Sequence, residues 1–111
     1  MRIAVPFDGT GIPKFFGKAK MLKLYDVDGQ TITHSEDINI QYKGHHSIEP
    51  YLKDHGIDLV VCGALGAGVR AVLTELGIKF VAGITGDPDA AISTFLAENP
   101  LYDNKGDISR S

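Results

Sequence analysis

Two runs constrain the fold of this chain more than any other feature: IDLVVC at residues 57–62 and IKFVAGI at residues 78–84. Both are short, rich in β-branched residues and free of polar alternation, as expected for strands covered on both faces. Each follows a glycine, and ahead of each glycine stands a stretch with helical periodicity. In the first, SIEPYLKDHG, Ser47 is a candidate N-cap and Pro50 falls in the tolerated first turn. Ile48, Tyr51, Leu52 and His55 form its stripe, and Gly56 closes it. In the second, Val69, Val72, Leu73 and Leu76 form the stripe ahead of Gly77. Asp87 and Pro88 then supply N-cap and N1 for a last helix carrying Ile92, Phe95 and Leu96. Strands that alternate with helices in this way are joined by right-handed crossovers and lie parallel.

The first third of the chain reads differently. RIAVPF is a buried first strand ended by Asp8 and Gly9, and the loop DGTGIPKFFGKAK that follows is too irregular for a helix. MLKLYDV and QTITHSE flank Asp28 and Gly29, a pair that marks a hairpin with a type I′ turn. DINIQYKGHH reads as a polar connection. The element order β, β, β, α, β, α, β, α therefore predicts an α/β fold with a mixed five-stranded sheet, an antiparallel hairpin followed by parallel βαβ crossovers. In such sheets ligands sit outside the carboxyl ends of the parallel strands. The first loop, the glycine turn after Cys62 and the loop GITGDPD all belong to that edge. Residues 1–99 are expected to form one domain and residues 100–111, which lack a periodic apolar face, a mobile tail. No internal repeat is evident.

With 111 residues, 43% hydrophobic and 23% charged, the chain can bury a core without disulfides or a structural metal. A net charge of −3 offers no general attraction to nucleic acid, and no apolar run has membrane-spanning length. The amino-terminal apolar run is too short for a signal peptide, and the single cysteine cannot form an internal disulfide, so a cytoplasmic setting is expected.

The residues at the sheet edge admit several chemistries. Gly66 to Ala71, GAGVRA, fits a loose dinucleotide fingerprint with Asp87 near the ribose-binding distance, although it lies in the second βα unit and no substrate domain follows. No Gly-Lys-Ser or Gly-Lys-Thr accompanies the glycines, which argues against a Walker loop. Helix N-terminal amides can nevertheless seat an anion, with Arg70 in the first turn adding charge. The bland alternative for Gly63 and Gly66 is close packing of helix on sheet. Cys62 is either a small core residue or, if it faces the loop, a thiolate ligand for a soft metal. His45 and His46 precede a helix and could share a metal with Cys62 across the edge. His34 and His55 read as structural. Asp8 and Asp58 suggest a two-metal nuclease, but they fall at opposite ends of the sheet. One thiol cannot build an iron-sulfur site, whereas a preassembled anionic cluster needs only one or two replaceable ligands, amides and cations.

Taken in order, MRIAVPFDG, FFGKAK, LYDVDG, the long stretch from Gly44 to Gly86 and DAAISTFL resemble the nitrogenase iron-molybdenum cofactor biosynthesis accessory family, the dinitrogenase iron-molybdenum cofactor-binding domain. The resemblance implies a ribonuclease H-like three-layer α/β/α fold and a small non-enzymatic carrier of iron-molybdenum cofactor or a related metal-sulfur cluster, with cofactor-assembly proteins as partners. The positions that match are Gly44, His45, His46, Cys62, Gly63, Gly66 and Gly68. Many members read His-Phe-Gly-Arg in the first loop, where this chain has Phe15, Phe16, Gly17 and Lys18. Phenylalanine cannot ligate a metal, and lysine replaces a bidentate fork by a point charge. The expected cluster ligands are then His45, His46 and Cys62, with glycine-turn amides balancing charge and Lys14, Lys18 and Arg70 steering the cluster. Two other functions remain open: a nucleotide or phosphate-ligand module using residues 63–68, and a ribonuclease H-like nuclease.

Overall fold

A computed structural model describes residues 1–15, 19–39 and 49–98, and the side chains within these except those of 49–51. The strands are β1 (Arg2–Phe7), β2 (Met21–Asp28), β3 (Thr31–Asn39), β4 (Leu59–Val61) and β5 (Lys79–Val81). The helices are α1 (Glu49–Asp54), α2 (Ala67–Glu75) and α3 (Pro88–Glu98). One mixed sheet has the order β3-β2-β1-β4-β5. β1, β2 and β3 pair antiparallel, whereas β4 pairs parallel with both β1 and β5.

Strand parity distributes the core between two faces. Ala4, Leu22, Leu24, Val60 and Cys62 point to one face, where they meet Leu52 of α1 and Leu73 of α2. Ile3, Val5, Tyr25, Leu59 and Val61 point to the other, against Ile92, Phe95 and Leu96 of α3. The result is three layers, and β4 and the middle of β1 are apolar because both of their faces are covered. Full burial of a side chain such as Leu73 stabilises the fold by about 2 kcal/mol.

Both helix-to-strand joints are built alike. Gly56 and Gly77 take positive φ after α1 and α2, and the next residues, Ile57 and Ile78, donate backbone N–H back to Leu52 and Leu73. These returns are the C-terminal capping expected of glycine in the left-handed region. They also explain why β4 and β5 are only three residues each: the isoleucines at the head of each run close the preceding helix rather than pairing in the sheet.

Two details of the hairpin differ from expectation. Asp28 pairs with Thr31, so the turn residues are Gly29 and Gln30, and only Gly29 has positive φ. A type I′ turn needs positive φ at both central positions; glycine at the first alone is the II′ pattern. β3 also runs on through Asp37, Ile38 and Asn39, where the polar sequence predicts a connection. β2 supplies the partners that extend it, since Ile38 lies opposite Leu22 and Lys23 Nζ reaches Asp37 Oδ1 at 2.9 Å. The expected Ser47 cap and the tail lie outside the described residues.

Candidate functional site

The carboxyl ends of β1, β4 and β5 deliver three loops to one edge, and these loops are bonded to one another through their backbones. Ile12 N–H donates to the Gly86 carbonyl at 2.8 Å, and Ala64 N–H to the Lys14 carbonyl at 2.7 Å. Gly83 N–H donates to Gly63 O and Ile84 N–H to Cys62 O, each at 2.9 Å. The first loop therefore rests on both of the others.

Glycine permits that contact at Gly63. A Cβ on this residue would lie 2.5 Å from the Pro13 carbonyl oxygen and 2.6 Å from that of Lys14. Its role is close approach of the first loop, not packing of helix on sheet. Gly66 and Gly68 are different, since a Cβ on either would meet nothing within 4 Å. The packing alternative thus fails for Gly66, which lies exposed at the site's mouth.

Gly66 is the N-cap of α2, in extended conformation, and no side chain caps the helix. First-turn N–H groups lack intrahelical acceptors, and here no acidic residue of the first turn competes for them. The helix begins as an open, partially positive amide surface. Arg70 stands one turn on, its N–H donating to the Gly66 carbonyl at 3.1 Å. Its Nε donates to the Leu65 carbonyl at 3.3 Å, and its guanidinium lies 5.3 Å from the Phe80 ring centre. Those contacts hold it beside the turn. Across the turn, Phe15 bridges to Ala64 and leaves 53% of its surface exposed, with Lys14 Nζ 5.6 Å from the ring centre. Phe15 is accordingly a rim residue, not core.

Cys62 answers the question that the sequence left open. It has 0% exposure, packs in the α1/α2 core, and its Sγ lies 3.7 Å from the Val81 carbonyl. Burial pushes the thiol up to about 12, against a smaller lowering by Arg70. A thiol so placed presents no sulfur to the loop. The expectation of a thiolate facing the loop is therefore corrected: parity with Val60 turns the side chain inward, where α2 covers it.

Among the described residues no group of three His, Cys, Asp or Glu side chains is placed to hold a metal. Asp8 and Asp58 are indeed far apart in role: Asp8 follows β1, while Asp58 Oδ2 accepts Arg2 N–H at the start of that strand. Asp87 caps α3 by accepting Ala90 N–H at 2.9 Å. His34 lies on exposed β3 opposite Asp26. Gly44, His45, His46, Phe16, Gly17 and Lys18 lie outside the described residues.

Sequence reasoning missed the part of Asp8. Its Oδ1 accepts Thr10 N–H and Thr10 Oγ1–H, both at 2.8 Å, and Gly11 N–H at 3.0 Å. These bonds, the backbone bond from Thr10 foremost, hold the carboxyl below its ordinary value. The signal was present in Asp8-Gly9-Thr10-Gly11, an Asx-turn sequence.

A family model described as "Dinitrogenase iron-molybdenum cofactor" matches residues 1–98. Among curated proteins no sequence match is found. A crystal structure of PH0822 superposes with a TM-score of 0.83 at 25% identity, covering 96% of this chain and 100% of that one. A Methanocaldococcus jannaschii structure carrying a provisional dinitrogenase name gives 0.74 at 16% identity, with 88% and 89% covered. The apo form of the orange protein from Desulfovibrio gigas gives 0.68 at 21% identity, with 92% of each chain covered.

Proposed function

The chain belongs to the dinitrogenase iron-molybdenum cofactor family, and from that premise we propose that it is a small non-enzymatic carrier of an anionic metal-sulfur cluster. The supporting observation is the uncapped, acid-free start of α2, opening at the edge where the three loops meet. There the cargo takes hydrogen bonds from backbone amides around Gly66 and Gly68, with cationic flanks from Lys14, Lys18 and Arg70. Iron-molybdenum cofactor and thiomolybdate-like clusters have the required chemistry: negative charge spread over sulfur and oxygen acceptors.

Direct ligation falls to His45 and His46, with Gly44 ahead of them. Cys62 takes no part, because its buried thiol cannot reach a ligand at the rim without repacking the core. The cargo arrives preassembled and leaves to a recipient assembly protein. We also class the three-layer fold as ribonuclease H-like, a reading supported by the strand order β3-β2-β1-β4-β5 and by antiparallel pairing confined to the first three strands. The nuclease chemistry of that fold has no support at Asp8, whose carboxylate is engaged by its own loop. A cytoplasmic setting suits a carrier of reduced clusters, and among the described residues no helix is long and apolar enough to cross a membrane.

One observation favours a second reading. The described rim offers amides, lysine and an exposed phenylalanine ring but no accessible sulfur, which would equally suit a nucleotide phosphate beside a stacked base. Anaerobic incubation with tetrathiomolybdate, followed by desalting and metal analysis, separates the two. Retained molybdenum supports the carrier. Its absence, together with a thermal shift produced by nucleotides, supports the alternative.

A further inference from the structure

We infer that Asp8 is a positioning residue, whose carboxylate sets the first loop so that Lys14 and Phe15 stand at the rim of the amide seat. The inference rests on the carrier reading only for what the loop presents, not for how the loop is held.

The described residues of the loop contain no helix or strand of their own, so their conformation comes from specific contacts. At its root, Asp8 Oδ1 gathers three donors from Thr10 and Gly11, while Asp8 N–H donates to the Gly11 carbonyl at 3.1 Å. The chain reverses within four residues. Immediately after the reversal Ile12 N–H meets Gly86 O, and a Cβ on Gly11 would stand 3.0 Å from that same oxygen. Register at Ile12 then fixes Pro13 and Lys14, whose carbonyls press on Gly63, and Phe15, which bridges to Ala64. A shift of the Asp8 turn by one residue would displace every later contact by about 3 Å, the rise of one extended residue. Ile12 is buried and cannot follow such a shift without losing its place in the α3-side core.

The carboxylate touches none of the rim residues, so its influence on cargo passes through the loop. Asparagine at this position keeps an oxygen acceptor for the three donors, whereas alanine removes it. The two variants therefore separate geometry from charge.

Amide hydrogen exchange and tetrathiomolybdate binding are measured together on the full chain, as wild type, Asp8→Asn and Asp8→Ala. Asp8→Ala is expected to lower protection of the Ile12 and Ala64 amides about tenfold while Val60 in the central sheet keeps its own. It is also expected to weaken tetrathiomolybdate binding several-fold. Asp8→Asn is expected to restore both. Unchanged protection at Ile12 and Ala64 in Asp8→Ala would overturn the inference. So would a released loop with unaltered binding, since the rim would then not depend on the loop. If wild type binds no tetrathiomolybdate, the carrier reading fails separately, and the exchange of Ile12 and Ala64 alone decides whether Asp8 positions the loop. Should Asp8→Ala fail to fold, Thr10→Val, which removes one donor to Asp8, must lower protection at the same two amides.

Discussion

Replacing Gly63 by alanine probes the contact on which the whole edge depends. The new Cβ would lie 2.5 Å and 2.6 Å from two backbone carbonyl oxygens. An ordinary carbon-oxygen contact is near 3.4 Å, so the loop must retreat by about 0.9 Å. Neither oxygen belongs to a flexible side chain that could swing aside. Overpacking of this kind costs about 1–3 kcal/mol, and stretching the Ala64 to Lys14 hydrogen bond adds about 1 kcal/mol. The expected loss is about 2–4 kcal/mol, or a fall in Tm of roughly 10–20 °C for a domain of this size. Urea unfolding of Gly63→Ala should show a lower midpoint with unchanged slope. Gly68→Ala is the control. It adds the same methyl group inside α2 with nothing within 4 Å, and should be neutral or stabilise by up to about 1 kcal/mol. The reasoning is refuted if Gly63→Ala unfolds within about 0.5 kcal/mol of wild type, or if Gly68→Ala is the more damaging of the two.

Other expectations concern titratable groups. Cys62 should react with a disulfide reagent at pH 8 only as the fold opens, because burial both shields it and holds its thiol at about 12; rapid labelling in native buffer would contradict its placement. Tyr25 is buried with its hydroxyl donating to Asp89 Oδ1 at 2.5 Å, and burial pushes its ionisation above the ordinary tyrosine value. Absorbance titration should show three of the four tyrosines at most ionising before alkaline unfolding, and Tyr25→Phe should cost about 1 kcal/mol in urea unfolding. Asp8 has a depressed folded value, so its contribution is present above the unfolded aspartate value and lost as pH falls through the lower, folded one. Protonation leaves an acceptor oxygen for the three donors, as asparagine does, so acidification below the ordinary aspartate range should cost the Ile12 and Ala64 amides less protection than Asp8→Ala does at neutral pH; release of both amides at pH 5 would contradict this.

Much of the architecture was legible because local and global signals agree. Glycines at 56 and 77, two β-branched runs and the Asp87-Pro88 cap all fall where α1, β4, α2, β5 and α3 require them. The end of β3 was not legible, since Asp37 and Ile38 are strand residues only by virtue of Lys23 and Leu22 across the ladder. Cys62 illustrates a subtler limit. Its parity with Val60 could be read from the sequence, but whether the residue just past a strand's end is covered depends on where the following helix lies. Gly63 and Gly66 likewise look equivalent in the sequence, and only the path of the first loop makes one indispensable and the other open.

The carrier reading is tested most directly by molybdenum retained after anaerobic tetrathiomolybdate loading and desalting, compared among wild type, Cys62→Ala and the double variant His45→Ala, His46→Ala. Wild type and Cys62→Ala should retain the metal alike, and the double histidine variant should lose most of it. Loss in Cys62→Ala with full retention in the histidine variant would contradict the placement of the buried thiol outside the site, and no retention by wild type would contradict the carrier itself.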